Sequence, residues 1–181
     1  MAEVIYTIGH SNNTLDAIIE ILAHHKIEFV VDVRAYPRSR RTPHFNRQAI
    51  ESHLTLANIQ YSWAGKVLGG YRRPIRNSPN MALNDANFRG FADHMITRAF
   101  SESLRALCEV AARKKLAILC SEANYQHCHR QFIADLLTIK RFEVRHIKAT
   151  GEQIAHRLHP CLDSDSNPPL YNRMLQGNLF T

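Results

Sequence analysis

The chain has 181 residues, 45% hydrophobic and 22% charged, the size and composition of one globular domain that buries a core without disulfide staples. No apolar run approaches the roughly 18 residues needed to cross a bilayer, so a helical membrane protein is excluded. Net charge is +7 and unevenly placed: from Val33 to Asn84 there are nine Lys or Arg and one acid, Glu51, while the remainder is close to neutral. Such clustering fits a phosphate-bearing or polyanionic ligand, or else a solvated basic surface with no specific partner.

The first ten residues carry an early acid and no basic n-region. They predict a strand rather than a signal peptide, and with it a cytoplasmic location and reduced thiols. Val4-Ile-Tyr-Thr-Ile8 is that strand. Asn13 or Thr14 caps a helix whose Leu15, Ile18, Ile19 and Leu22 share one face. Ile27-Glu-Phe-Val-Val31 is a second strand, running into Asp32-Val-Arg34. A strand–helix–strand unit this short predicts a parallel pair with a crossover helix.

Residues 35–47 form a Pro- and Arg-rich loop. Asn46 caps a helix to about Ala57, and Gln60-Tyr-Ser-Trp63 is a short strand. Leu68 to Asn84 is turn-rich and basic. Helices follow around Phe88, Phe91, Ala92 and Met95, and around Leu104, Leu107, Cys108 and Ala111. Lys115-Leu-Ala-Ile-Leu119 is a strand, Cys128 to about Leu137 a helix, and Phe142 to Ile147 a last strand. Gly151 to His159 reads as a short helix. The expected organisation is one α/β domain over residues 1–160, a mostly parallel sheet with helices on both faces in three layers, then a polar linker and tail over 161–181.

Ligands of such sheets bind beyond the carboxyl ends of the strands. Four predicted strands end in reactive residues there: Gly9-His10-Ser11, Asp32-Val33-Arg34, Cys120-Ser121-Glu122 and His146-Ile147-Lys148. Cys120 and Glu122 are two apart and face the same side of an extended chain. Cys128, His129 and Arg130 fall in the first turn of the next helix, where free amides and the dipole favour an anion and a lowered thiol pKa. The alternative for each cysteine is a small buried packing residue.

Asp32 and Arg34 either pair with each other or divide into an orienting acid and a phosphate ligand. His10 is an acid–base candidate or a structural hydrogen bonder. Arg38, Arg40 and Arg41 suit an electrostatic rim. Tyr36, Phe45, Tyr61 and Trp63 are candidates for stacking on bases, or core residues.

Cys120, Cys128, His129 and His10 are suitable zinc ligands by type. Their spacing is not that of short-knuckle sites, and adjacent residues of one helix point about 100° apart, so no metal site is predicted and the cofactor is left open. A phosphatase loop is absent, since position 126 is Gln where Cys120 would need Arg. No Walker, dinucleotide-binding or serine-elbow pattern occurs.

Together, Tyr6-Thr-Ile-Gly-His-Ser11, Asp32-Val-Arg34 with Pro37 and Ser39, Leu68-Gly-Gly70, and Cys120 with Glu122 and Cys128-His-Arg130 resemble the domain of unknown function 488 family, over residues 5 to about 150. The resemblance implies that these positions form one site and names no reaction. The leading expectation is an enzyme acting on a nucleotide or nucleic acid. Catalysis falls to Cys120, Glu122, Cys128 and His10, and anion binding to Ser11, Asp32, Arg34, Arg38, His129 and Arg130. A non-catalytic nucleic-acid-binding module, or a thiol or zinc protein, is the alternative. Gln176-Gly-Asn-Leu179-Phe180 resembles the C-terminal peptide by which bacterial DNA-processing proteins dock on the sliding clamp, with Gly177 where Leu is usual. An ordinary frayed tail is its alternative.

Overall fold

The computed structural model describes residues 3–174; the tail motif at Gln176, Leu179 and Phe180 lies outside them. Strands β1 (Val4–Gly9), β2 (Phe29–Asp32), β3 (Gln60–Trp63), β4 (Leu116–Cys120), β5 (Glu143–Ile147) and β6 (Gln153–Ala155) form one sheet in the order β3-β2-β4-β1-β5-β6. All neighbours are parallel except β5 and β6. Helices α1 (Leu15–His24) and α2 (Arg47–Leu56) bury Ile18, Leu22, Ile50 and Leu54 with Val30, Ala117, Leu119 and Ile8 on one face. Helices α4 (Ala86–Met95), α5 (Arg98–Ala111) and α6 (Arg130–Ile139) bury Phe91, Leu104 and Phe132 with Ile5, Val31 and Ile118 on the other. Alternate strand residues thus feed opposite cores, as the two-residue pleat requires. This is the three-layer α/β architecture expected. A four-residue helix, α3 (Gly65–Leu68), follows β3.

Helix starts follow the chemistry of their caps. The side chains of Thr14, Asp85 and Thr97 accept the amides of Ala17, Phe88 and Phe100 at the heads of α1, α4 and α5. Asn46 precedes α2 as predicted, but its Oδ1 accepts the Ser39 amide at 2.6 Å and so ties down the basic loop instead.

Three expectations are corrected. β1 and β2 are parallel but not adjacent, because β4 pairs with both: Leu116 lies opposite Ile5 on one side and Phe29 on the other. Leu116-Ala-Ile-Leu-Cys120 is buried at every position and takes the centre of the sheet. Residues 151–159 are not a helix. Gly151, at φ +82°, turns the chain back, and β6 pairs antiparallel with β5, covering an edge that would otherwise stand open. The polar segment from 161 starts as a docked hairpin, β7 (Leu162–Asp163) and β8 (Leu170–Tyr171), whose Cys161, Leu162 and Tyr171 join the core.

That hairpin is anchored through a buried polar chain. Tyr171 OH donates to Asp135 at 2.8 Å, and His156 Nε2 donates to the same carboxylate at 2.8 Å. His156 Nδ1 is then an acceptor for His146 Nε2–H at 2.9 Å, and His146 Nδ1 accepts from Thr7 Oγ1 at 2.7 Å. One direction of donation satisfies every member with the His146 ring neutral. Burial, with the neighbouring His156 and the Arg130 charge, lowers the His146 pKa to about 2. Below the unfolded value near 6.5 the unfolded chain takes up a proton that the native state refuses. This contribution to stability is therefore full above pH 6.5 and is lost progressively as pH falls. We expect urea unfolding at pH 5 to show roughly 2 kcal/mol less stability than at pH 7 from this histidine alone. An unchanged free energy would contradict the neutral assignment.

Candidate active site at the carboxyl edge of the sheet

The ladder of β1, β4 and β2 continues past the strands. The amides of His10 and Ser11 donate to the carbonyls of Cys120 and Ser121 at 2.9 and 2.8 Å, and that of Val33 to Leu119 at 3.0 Å. Three reactive strand ends are thereby fixed side by side, and a cleft of about 540 Å³ opens above them. His10, Arg34, Arg38, Cys120, Glu122, Cys128 and His129 line it. Ser11, Asp32 and Arg130 do not. The fourth strand end is not part of it either, because His146 is locked in the chain above and Lys148 pairs with Glu152.

Asp32 is fully buried and grips Arg34 through both oxygens: Nε to Oδ1 at 2.9 Å and Nη2 to Oδ2 at 2.6 Å. The Arg34 amide donates to Oδ1 at 3.0 Å, and Tyr61 OH adds a fourth donor at 2.8 Å. The pairing reading of these residues is therefore the geometry present; Arg34 still lines the cleft, and Nη1 is left free of Asp32. That nitrogen lies 3.2 Å from His10 Nε2, while His10 Nδ1 lies 2.9 Å from the Ser11 carbonyl. Arginine only donates and a carbonyl only accepts, so His10 is neutral with its proton on Nδ1. Burial, then the Arg34 charge, lowers its pKa to about 4. With Phe45 stacked on it at 4.0 Å, His10 orients Arg34.

Cys120, Cys128 and His129 meet at the cleft floor, with their donor atoms within 4.8 Å of one another. His129 Nδ1 is 4.0 Å from Cys120 Sγ and 3.8 Å from Cys128 Sγ. His129 Nε2 lies 3.2 Å from the Val33 carbonyl, to which it donates, and this turns Nδ1 toward the two sulfurs. The hydrogen bond from Cys128 holds the Cys120 thiol well below the usual cysteine range, against the opposing effect of burial and with further help from His129. Burial and the neighbouring Cys120 push Cys128 up. Cys120 is thus the more acidic thiol of the pair. Phe91 packs edge-on against His129 at 5.0 Å, and a Cβ at Gly70 would come within 3.1 Å of its Nδ1. The Gly-Gly turn therefore serves close approach.

The head of α6, where an anion pocket was expected, is built of several turns. A 3-10 turn spans Tyr125–His127, Cys128 is extended, and α6 begins only at Arg130. The amides of Gln131 and Phe132 donate to the carbonyls of Cys128 and His129. Arg130, 1% exposed, does not reach the cleft. It donates to the carbonyls of Glu122 and Ala123 and holds the loop from below. Ser11, at φ +46°, likewise shapes the turn after β1. The side chain of Glu122 stands exposed at the rim.

Of the four stacking candidates, three are built into the fold. Phe45 is buried on His10, Tyr61 bonds Asp32, and Trp63 donates to the Arg34 carbonyl at 2.9 Å with Arg47 over its ring. Tyr36 alone is free, 76% exposed. Its partner at the cleft mouth is a residue the sequence reading missed: Tyr71, 78% exposed, with ring centroids 6.2 Å apart. Tyr71 sits at φ +59°, which is strained for a bulky residue. The available signal was a tyrosine directly after Gly69-Gly70 in a basic turn.

A family model described as Domain of unknown function DUF488 matches residues 14–137, and the chain belongs to that family. No curated protein and no solved structure matches the chain. Among the described residues no helix is long and apolar enough to cross a membrane.

Proposed function

From membership in this family, which names no reaction, we propose that the chain is an enzyme acting on a nucleotide or nucleic acid held in the carboxyl-edge cleft. The observation that carries the proposal is that two exposed tyrosines and an arginine without an ion pair, Arg38, line the same cleft as a buried thiol centre. Exposed aromatics gain nothing from water, and a strained one costs free energy that packing here does not repay. A base stacked on Tyr36 and Tyr71 accounts for both. Arg38, with no ion-pair partner among the described residues, and Arg34, which lines the same cleft, then serve to hold the attached phosphate. Glu122 at the rim serves as general acid or base, and the Cys120–Cys128–His129 centre supplies the reactive group.

The basic segment from Val33 to Asn84 also favours a second reading, a nucleic-acid-binding module without turnover. The test follows the fate of nucleoside phosphates and short single- and double-stranded DNA and RNA by phosphorus NMR and mass spectrometry. The enzyme reading expects one class to be consumed by the native protein and not by Glu122→Ala, which still binds it. Binding without consumption by either protein supports the module. Failure of every nucleotide and nucleic acid to bind at low salt removes both.

A further inference from the structure

We propose that Cys120, Cys128 and His129 form the ligand set of a single zinc ion whose fourth coordination position opens into the cleft. The ligand types are two thiols and one imidazole, a set suited to a soft or borderline divalent metal and used by zinc enzymes that keep an open position. Tetrahedral zinc with sulfur near 2.3 Å and nitrogen near 2.0–2.1 Å would set sulfur and nitrogen about 3.5 Å apart. The observed 4.0 and 3.8 Å need only a few tenths of an ångström of contraction.

The spacing objection does not apply. Cys128 is extended, at φ −130° and ψ 141°, and only His129 begins the helical turn. The two side chains therefore do not diverge as neighbours on one helix do, and they converge on Cys120. The histidine is already oriented for ligation: Nε2 donates to the Val33 carbonyl, the outer-sphere partner typical of zinc-bound imidazole, and Nδ1 faces both sulfurs. All three residues line the cleft, so the position opposite them faces solvent and substrate. No acidic side chain is needed for neutrality, because a zinc dication displaces one proton from each thiol and two protons leave to solvent.

In the enzyme reading above, on which this role rests, the open position takes water or a substrate oxygen. The ligand set itself is tested without substrate. The full chain is stripped with chelator under reducing conditions and titrated with Co2+, then with Zn2+. One equivalent of cobalt is expected to give the visible bands of a tetrahedral site with thiolate charge transfer, and zinc is expected to bleach them. Cys120→Ser and Cys128→Ser lose the bands, whereas Cys108→Ser and Cys161→Ser, whose thiols lie outside the cluster, keep them. Should a variant misfold, iodoacetamide labelling of the native chain read by mass spectrometry replaces it: one equivalent of zinc protects Cys120 and Cys128 and leaves Cys108 unchanged. Absence of a stoichiometric tetrahedral spectrum, or protection that does not map to these two cysteines, overturns the site. Oligonucleotide binding measured on the same stripped protein separates the outcomes. Oligonucleotide binding with no stoichiometric metal uptake sinks the zinc site alone, and metal uptake with no nucleotide or nucleic-acid binding sinks the substrate reading alone.

Discussion

Asp32→Ala is expected to lower the free energy of unfolding by about 3–5 kcal/mol, measured by urea denaturation at neutral pH. The carboxylate has no exposed surface and accepts from Arg34 Nε, Arg34 Nη2, the Arg34 amide and Tyr61 OH. Its removal leaves a guanidinium that is 8% exposed without a counter-charge, and a buried unpaired charge is among the costliest defects a core can carry. The compensated double variant, Asp32→Leu with Arg34→Met, is expected to recover much of the loss, because the pair itself contributes little beyond its mutual satisfaction. A single variant as stable as the native protein would show that Arg34 finds water or another partner. The geometry assigned to the cleft wall would then be wrong.

Gly9→Ala is expected to be the most damaging glycine-to-alanine change among the described residues. A Cβ there would lie 1.7 Å from the Glu122 carbonyl oxygen and 2.9 Å from Arg130 Nη1. Both are held: the oxygen accepts from Arg130, and Arg130 is packed beneath the loop. Neither is the loose end of a flexible side chain, so the strand end or the Cys120–Arg130 segment must move. We expect a loss at or above the upper end of the usual overpacking range, about 3 kcal/mol, in urea denaturation. Iodoacetamide labelling of Cys120 in the surviving native fraction should be faster, since the loop that covers it is displaced. Native-like stability with unchanged labelling would contradict the close contact.

Strand and helix types were largely legible, since the periodicities of Val4–Ile8, Leu116–Leu119 and the stripe Leu15, Ile18, Leu22 depend only on local pattern. Strand order was not. Insertion of β4 between β1 and β2 is decided by which strand is most apolar on both faces, a comparison across the whole chain. Residues 151–159 misled because Gly151 and the edge of β5 decide their state, and no helical stripe was present to resist. At the site, Cys120, Cys128, His129 and Arg34 were readable as residue types at strand and helix ends. Their roles depended on three-dimensional partners: Arg130 turned to the carbonyls of Glu122 and Ala123, and His10 was fixed neutral by Arg34. Tyr71 escaped notice because its significance lies in exposure and a positive φ, neither of which composition reports.

The most direct measurement is a fluorescence-anisotropy titration of a labelled single-stranded oligonucleotide, at low and at moderate salt, against the native chain and Tyr36→Ala, Tyr71→Ala and the double variant. Stacking on a protein aromatic is worth about 1–3 kcal/mol per base, so each single variant is expected to weaken binding roughly 5- to 150-fold. Affinity should also fall as salt rises, through Arg38 and the neighbouring loop arginines. Because both tyrosines are exposed, their removal should leave the unfolding curve unchanged. Equal affinity in all four proteins, or no binding at low salt, would contradict a nucleotide- or nucleic-acid-binding cleft at the carboxyl edge of this sheet.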